Sequence, residues 1–342
     1  MNRMRRLIML AWAGSALTGT LAGCAGTSNP NTTADGSSVW RTFRATDGTD
    51  IHYRYWAATR KKPRALVQVV HGAAEHSGRY DRFARALVAQ GYAVAATDHR
   101  GHGRTRIRSG QLGDAGPDAW NRFVTDETHL TQLLRTEHPG SHIVLFGHSM
   151  GSFIAQDYMT QRPRLIDAVI LSGTAYGPPP PKELLGALDA AAKSSPLGPS
   201  EIWANLFKDF NQPFTGKPGF EWLSRDAAEV AKYQQDPLAG FAFSNELVRD
   251  FFQGLADLRD PAREERIIRN LPVLVIQGEL DPVGANLKAT QALLDRYKAL
   301  GMTDISHKFY PGARHEVLNE TNRDEVQRDV LAWMDKTIPK ND

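Results

Sequence analysis

The sequence predicts an α/β fold: a mostly parallel central sheet, helices on both faces, and a helical segment inserted late between two strands. Three observations carry this. Short runs such as Ala65–Val70 (ALVQVV) and Pro272–Ile276 (PVLVI) are rich in β-branched residues, as strands buried on both faces are. Segments with apolar residues at helical spacing alternate with these runs. From about Gly177 to Glu265 the alternation stops, leaving aromatic-rich helical sequence without a strand of that kind.

In chain order, Trp40–Phe43 and Ile51–Trp56 alternate around an Asp47-Gly48 turn and read as an antiparallel hairpin. Such a hairpin is an acceptable edge for a parallel sheet. Ala65–Val70 is the next strand and ends at His71-Gly72. Phe83, Leu87 and Val88 mark a helix, and Tyr92–Thr97 is a strand that ends at Asp98. Trp120, Phe123, Leu130, Leu133 and Leu134 mark a helix face. His142–Phe146 then reads as a strand, Met150–Gln161 as a helix and Ala168–Leu171 as a strand. After the insertion, Pro272–Ile276 is a strand, Leu287–Leu300 a helix, His307–Tyr310 the last strand and Val326–Ile338 the closing helix. The α/β core is therefore expected over residues 39–176 and 266–338.

The insertion, 177–265, opens on Pro178–Pro181, which end the strand before it. It carries two helical stripes, one through Ile202, Trp203, Leu206, Phe207 and Phe210, the other through Leu247, Phe251, Phe252 and Leu255. Placed between two sheet strands, it reads as a cap over the site; the alternative is a helical subdomain packed for stability alone.

A chain of 342 residues can bury a core without disulfides or a structural metal, and Cys24 is its only cysteine. The net charge of +3 comes from Arg3, Arg5 and Arg6; no acid precedes residue 24, so 41 cations less three stand against 38 acids. The balanced remainder argues against a nucleic-acid partner. The basic start leads into an apolar run, Leu7–Ala13, and then small residues, the shape of a secretory signal. It ends in Leu21-Ala22-Gly23-Cys24, which resembles a bacterial lipobox. On that reading residues 1–23 are a signal peptide, Cys24 is lipidated and 24–38 form a flexible polar tether. The protein is then a lipid-anchored lipoprotein of the bacterial cell envelope, on the periplasmic or extracellular side of a membrane surface. The alternative is an uncleaved anchor with an incidental cysteine.

Gly147-His148-Ser149-Met150-Gly151 fits G-x-S-x-G, with a strand before it and a helix after it. That context makes the serine a nucleophile elbow, and the fold an α/β-hydrolase fold. The triad order on this fold is Ser, acid, His. Only His307 and His315 follow the acid candidates; His307 falls within the last strand, whereas His315 sits in the loop after it. His315 is therefore the expected base. Asp281 lies just past the Pro272–Ile276 strand, at the kind of strand end where such sheets bind ligands. Glu279 is its rival, and Pro282, which favours extended backbone before it, argues for Asp281. The oxyanion donors should be the backbone N–H of Met150 and one just past His71-Gly72, which points to Ala73.

The runs His71–Tyr80 (HGAAEHSGRY), Asp98–Gly103 (DHRGHG), Leu223–Asp226 (LSRD) and Tyr310–Glu320, with the elbow, resemble the monoacylglycerol lipase and lysophospholipase group of α/β-hydrolases, over residues 40–338. The resemblance implies the same triad, with Ala73 and Met150 as oxyanion donors. It also implies that Glu75 and Arg79 line the polar end of the pocket where the alcohol leaves; a structural ion pair pinning the loop is the equal alternative. Two positions depart from the family pattern, Ser152 and Ala74, where glycine is usual. The implied activity is carboxylic-ester hydrolysis of a small lipid with one acyl chain, monoacylglycerol first. Lysophospholipid or short-chain esters come second, and a peptidase or a non-catalytic binding lipoprotein stands further off. The apolar groups Trp203, Phe207, Phe210, Phe251 and Phe252 would bed the acyl chain. No metal-ligand spacing or phosphate-cradling loop is present in the sequence, so no metal or cofactor is expected.

Overall fold

The computed structural model describes residues 37–214 and 219–339. The segment 1–36, with the expected signal and Cys24, lies outside the described residues. Eight strands form one sheet: β1 (Val39–Arg44), β2 (Asp50–Trp56), β3 (Leu66–Val70), β4 (Ala93–Thr97), β5 (Ile143–His148), β6 (Ala168–Ser172), β7 (Val273–Gly278) and β8 (Ile305–Tyr310). Their order is β1-β2-β4-β3-β5-β6-β7-β8, and only the β1–β2 and β2–β4 pairs are antiparallel. Every residue of β3, β4, β5, β6 and β7 is buried, which is why these segments read as unbroken apolar runs rather than as alternation.

Side-chain alternation along the strands divides the core in two. On one face, Leu66, Ile143, Leu145 and Val273 pack against Leu130, Leu134, Ile154 and Leu293, from α2 (Ala119–Glu137), α3 (Met150–Gln161) and α9 (Lys288–Ala299). On the other, Val67, Val144, Phe146 and Ile276 meet Phe83, Leu87, Val326 and Val330, from α1 (Asp81–Ala89) and α10 (Arg323–Thr337). Between β6 and β7 the chain leaves the sheet for α4 (Lys182–Ser194), α5 (Glu201–Asn211), α6 (Ala227–Gln235), α7 (Asn245–Leu258) and α8 (Pro261–Glu264). The two aromatic stripes coincide with α5 and α7; α4, α6 and α8 are additional.

Register brings the chemistry-bearing loops together. Val70 of β3 lies opposite Gly147 of β5, and His148 lies opposite Ser172 of β6. The ends of β3, β5 and β6 are therefore level at the carboxyl edge of the sheet, where ligands bind in this class of fold.

Helix α2 carries a carboxylic acid into the core. Glu127 is fully buried and accepts from the Thr97 hydroxyl and from Gln68 Nε2 at 2.6 Å. His99 Nε2 lies 3.1 Å from the His71 carbonyl and must donate to it, so the Nδ1 lone pair faces Glu127 Oε1 at 3.4 Å. Only a protonated Glu127 can donate there. Burial accordingly pushes the Glu127 acid from 4.5 up to about 7, and pushes His99 down to about 3. A folded-state value above the unfolded one means stability that is full below pH 4.5 and lost as pH rises through 7. That loss is about 3 kcal/mol at alkaline pH. Glu127→Gln mimics the protonated acid, so its urea midpoint should hardly change between pH 5 and 8, while the wild type falls. Equal pH dependence in the two proteins would contradict a buried neutral acid.

Candidate active site

Ser149 sits between β5 and α3 with φ +51° and ψ −122°, a strained backbone for a residue with a side chain. The strain persists because the neighbours fix the turn. Ser149 N–H donates to the Ser172 carbonyl at 2.9 Å, and the Ser149 carbonyl accepts from the Ser152 hydroxyl at 2.6 Å. A Cβ on Gly151 would stand 2.0 Å from the Val70 carbonyl oxygen, so only glycine lets α3 start so close to β3. The hydroxyl of Ser152 takes up a carbonyl at the helix start.

His315 Nδ1 lies 2.8 Å from Asp281 Oδ2, with both side chains buried. Three donors converge on that carboxylate: His315 Nδ1 and Gln277 Nε2 (2.5 Å) on Oδ2, and Val283 N–H (2.8 Å) on Oδ1. Gln277 in turn accepts from Thr174 N–H at 2.9 Å. Gln277 was not singled out from sequence, although a glutamine inside the apolar strand VLVIQG is a visible signal. The rival Glu279 is exposed and accepts from Gly312 N–H at 2.9 Å instead, and His307 is exposed on β8. His315 Nε2, the nitrogen away from Asp281, is buried without a hydrogen-bond partner. It faces a cavity of about 260 Å³ whose lining includes Ser149, Gly72 and Ala73.

His148 packs 4.7 Å from His315, ring to ring. Burial drives it down to about 4, so it stays neutral and adds no repulsion when His315 takes up a proton.

The loop after β3 is fixed from several sides. Glu75 Oε1 accepts from Gly72 N–H at 2.5 Å and from the Tyr80 hydroxyl at 2.8 Å, and Oε2 accepts from Arg79 at 2.6 Å. Arg79 also forks onto both oxygens of Glu316, at 2.6 and 2.7 Å. Burial would raise the Glu316 acid, but Arg79 outweighs it and holds it at about 2. Glu75 and Arg79 thus form an ion pair, Glu75 also lines the cavity holding Ser149, and Arg79 lines an adjoining cavity of about 360 Å³. Both postulated roles, loop pin and pocket wall, are geometrically open to Glu75. Glu316, beside His315 in sequence, ties the histidine loop to this pair and was not anticipated.

Ala74 is also left-handed, at φ +51°. Its N–H donates to His102 Nε2 at 3.3 Å, and its carbonyl accepts from Gly240 N–H at 2.8 Å and from the Tyr233 hydroxyl at 3.0 Å. Among the described residues, neither the Ala73 nor the Met150 N–H meets an acceptor.

The segment 177–265 contributes Phe207, Trp222, Leu223 and Tyr233 to the Ser149 cavity. Of the aromatic groups expected to bed an acyl chain, Phe207 lines that cavity. Trp203 and Phe251 do not: Trp203 stacks on Phe243 at 4.4 Å, and Phe251 packs on Trp120 at 5.9 Å. Both are buried core: Trp203 seats α5 on Phe243 and on Phe251 of α7, and Phe251 seats α7 on Trp120 of α2. A helical stripe alone does not say which of its residues face a cavity.

The profile of the family described as "Serine aminopeptidase, S33" matches residues 61–322. A monoacylglycerol lipase of Mycolicibacterium smegmatis is 31% identical over 296 residues, which is 85% of this chain and 95% of the relative. Human monoglyceride lipase is 31% identical over 84% of this chain and 88% of its own length. Among solved structures, a thermostable carboxyl esterase from Bacillus coagulans in complex with glycerol superposes with a TM-score of 0.81 at 28% identity, covering 89% of this chain and 99% of the esterase.

Proposed function

The chain belongs to the serine aminopeptidase S33 family of α/β-hydrolases, in its monoacylglycerol lipase group, and from that premise we propose that it hydrolyses monoacylglycerols through an acyl-enzyme on Ser149. One observation carries the mechanism: His315, held by Asp281 at 2.8 Å, presents a bare Nε2 to the cavity that Ser149 lines. Ser149 Oγ attacks the ester carbonyl as Nε2 takes its proton, and the Asp281 carboxylate stabilises the imidazolium. The oxyanion is met by the Ala73 and Met150 N–H groups. Nε2 then returns the proton to the departing alcohol oxygen, and water repeats the sequence to free the fatty acid. The segment 177–265 serves as a cap whose Phe207, Trp222 and Leu223 cover the reacting ester.

The named activities of the relatives and the glycerol held by the B. coagulans esterase support a glyceryl leaving group. The cavity, about 260 Å³, is walled by the apolar side chains of Phe207, Trp222 and Leu223. On a panel of glyceryl monoesters, kcat/KM should therefore rise from short to medium acyl chains, each buried CH₂ adding up to ~0.8 kcal/mol, and collapse on triacylglycerol. Phe207→Ala should flatten that rise, whereas Phe251→Ala should chiefly lower Tm. A maximum on acetyl esters, or faster turnover of aminoacyl amides than of any ester, would replace the lipase reading with an esterase or peptidase one.

The N-terminal sequence supports a lipid anchor at Cys24, which would keep the enzyme at the envelope membrane where single-chain lipids are released. Cys24→Ala should abolish acylation and leave the precursor uncleaved at that site, read by mass spectrometry and fractionation. An acylated, processed Cys24→Ala protein would rule the lipobox out.

A further inference from the structure

Among the described residues, two side-chain polar atoms of residues lining the Ser149 cavity are buried without a hydrogen-bond partner. One is His315 Nε2, which the mechanism uses. The other is Trp222 Nε1, which it does not. An indole N–H can only donate, and a buried donor left unpaired is costly enough that most native structures avoid it.

The ring itself is held firmly. It lies 4.8 Å from the His315 ring, tilted by 32°, with Phe207 at 5.5 Å and Phe210 at 5.2 Å. Its backbone N–H donates to Asn211 Oδ1 at 3.0 Å, and its carbonyl accepts from His315 N–H at 3.3 Å. The indole is thus a fixed wall beside the base. The neighbouring carboxylate is in a different state: both oxygens of Glu75 are already engaged, by Gly72, Tyr80 and Arg79. Apart from the Ala73 N–H, which the mechanism assigns to the oxyanion, the unspent side-chain donor on this wall belongs to Trp222.

We propose that the Trp222 indole N–H is a recognition donor for an oxygen on the alcohol half of the ester, so that the site favours a hydroxylated leaving group over a plain alkyl alcohol. This rests on the ester-hydrolase mechanism above. His315 delivers its proton to the departing alcohol oxygen, so a ring packed against His315 stands on the side from which that alcohol leaves. A hydroxyl or ether oxygen there would give the indole the acceptor that the protein withholds, and a hydrocarbon group would leave it unpaired.

The test compares a glyceryl monoester with the ethyl ester of the same fatty acid, using the whole enzyme. Trp222→Phe keeps an aromatic wall and removes the donor. The glyceryl-over-ethyl ratio of kcat/KM should fall about fivefold, the worth of one hydrogen bond. Loss common to both esters cancels in that ratio and reports only the packing on His315. Incorporating β-(3-benzothienyl)alanine at 222 keeps the bicyclic shape without the N–H and should lower the ratio equally, whether or not the phenylalanine variant folds. A wild-type preference for the glyceryl ester that survives either replacement would overturn this inference alone. A wild type inactive on both esters would overturn the hydrolase reading beneath it.

Discussion

Ser149→Ala will abolish ester hydrolysis, with kcat falling on the order of 10⁴-fold or more, while the fold keeps its stability. The loss is large because the hydroxyl is the only atom that forms the acyl-enzyme in the proposed mechanism; oxyanion stabilisation and binding leave only a residual rate. Stability should hold because Ser149 is only half-buried and its turn is fixed by backbone bonds, among them Ser149 N–H to the Ser172 carbonyl at 2.9 Å. Ser149→Gly sharpens the test. It too should be inactive, yet it relieves a φ of +51° and so should melt higher than Ser149→Ala, by about 1 kcal/mol of stability. Purified Ser149→Ala with near wild-type turnover would remove this serine from the mechanism.

Asp281→Asn should be nearly as damaging, about 10⁴-fold in kcat, with a fall in Tm that Ser149→Ala does not show. The carboxylate accepts from three donors, Gln277 Nε2, His315 Nδ1 and Val283 N–H, and both its oxygens are committed. An asparagine NH₂ at the Oδ2 position would meet the Gln277 amide and force His315 to accept at Nδ1. The imidazole would then carry its proton on Nε2 and could not take one from Ser149. Turned over, the NH₂ would face the Val283 N–H instead. Either way a buried donor loses its acceptor, a cost of about 1–3 kcal/mol. Glu279→Gln is the matching control: it touches Gly312 rather than His315, so kcat should barely change. A severe Glu279→Gln beside a mild Asp281→Asn would reverse the assignment of the acid.

The parallel strands were legible because each is buried on both faces and shows an unbroken apolar run. The elbow was legible because glycine is forced at 151 by a carbonyl that would stand 2.0 Å from its Cβ. Asp281 and His315 followed from strand ends and chain order. What escaped was whatever depends on long-range contact. Glu316 is unremarkable in sequence and becomes significant only because Arg79, 237 residues earlier, forks onto it. Trp203 and Phe251 share their helical stripes with Phe207 and Phe252, and only packing on Phe243 and Trp120 assigns them to the core. The Ala-rich helix α4 has weak apolar marking, with Leu188 and Ala192 as its buried residues.

The clasp on Ala74 bears on how such enzymes diverge. Its carbonyl is held by the Tyr233 hydroxyl and the Gly240 N–H, both within the inserted segment, while the residue endures a conformation that costs an alanine about 1–2 kcal/mol. The insertion is therefore not an interchangeable part. A chimera that borrows this segment from a relative inherits a working oxyanion loop only if the strip 233–240 keeps its hydroxyl and its approach, or if glycine replaces Ala74 and the loop no longer needs outside support. With alanine at 74, a change in the strip 233–240 acts on the loop after β3 as well as on the cavity that Tyr233 lines.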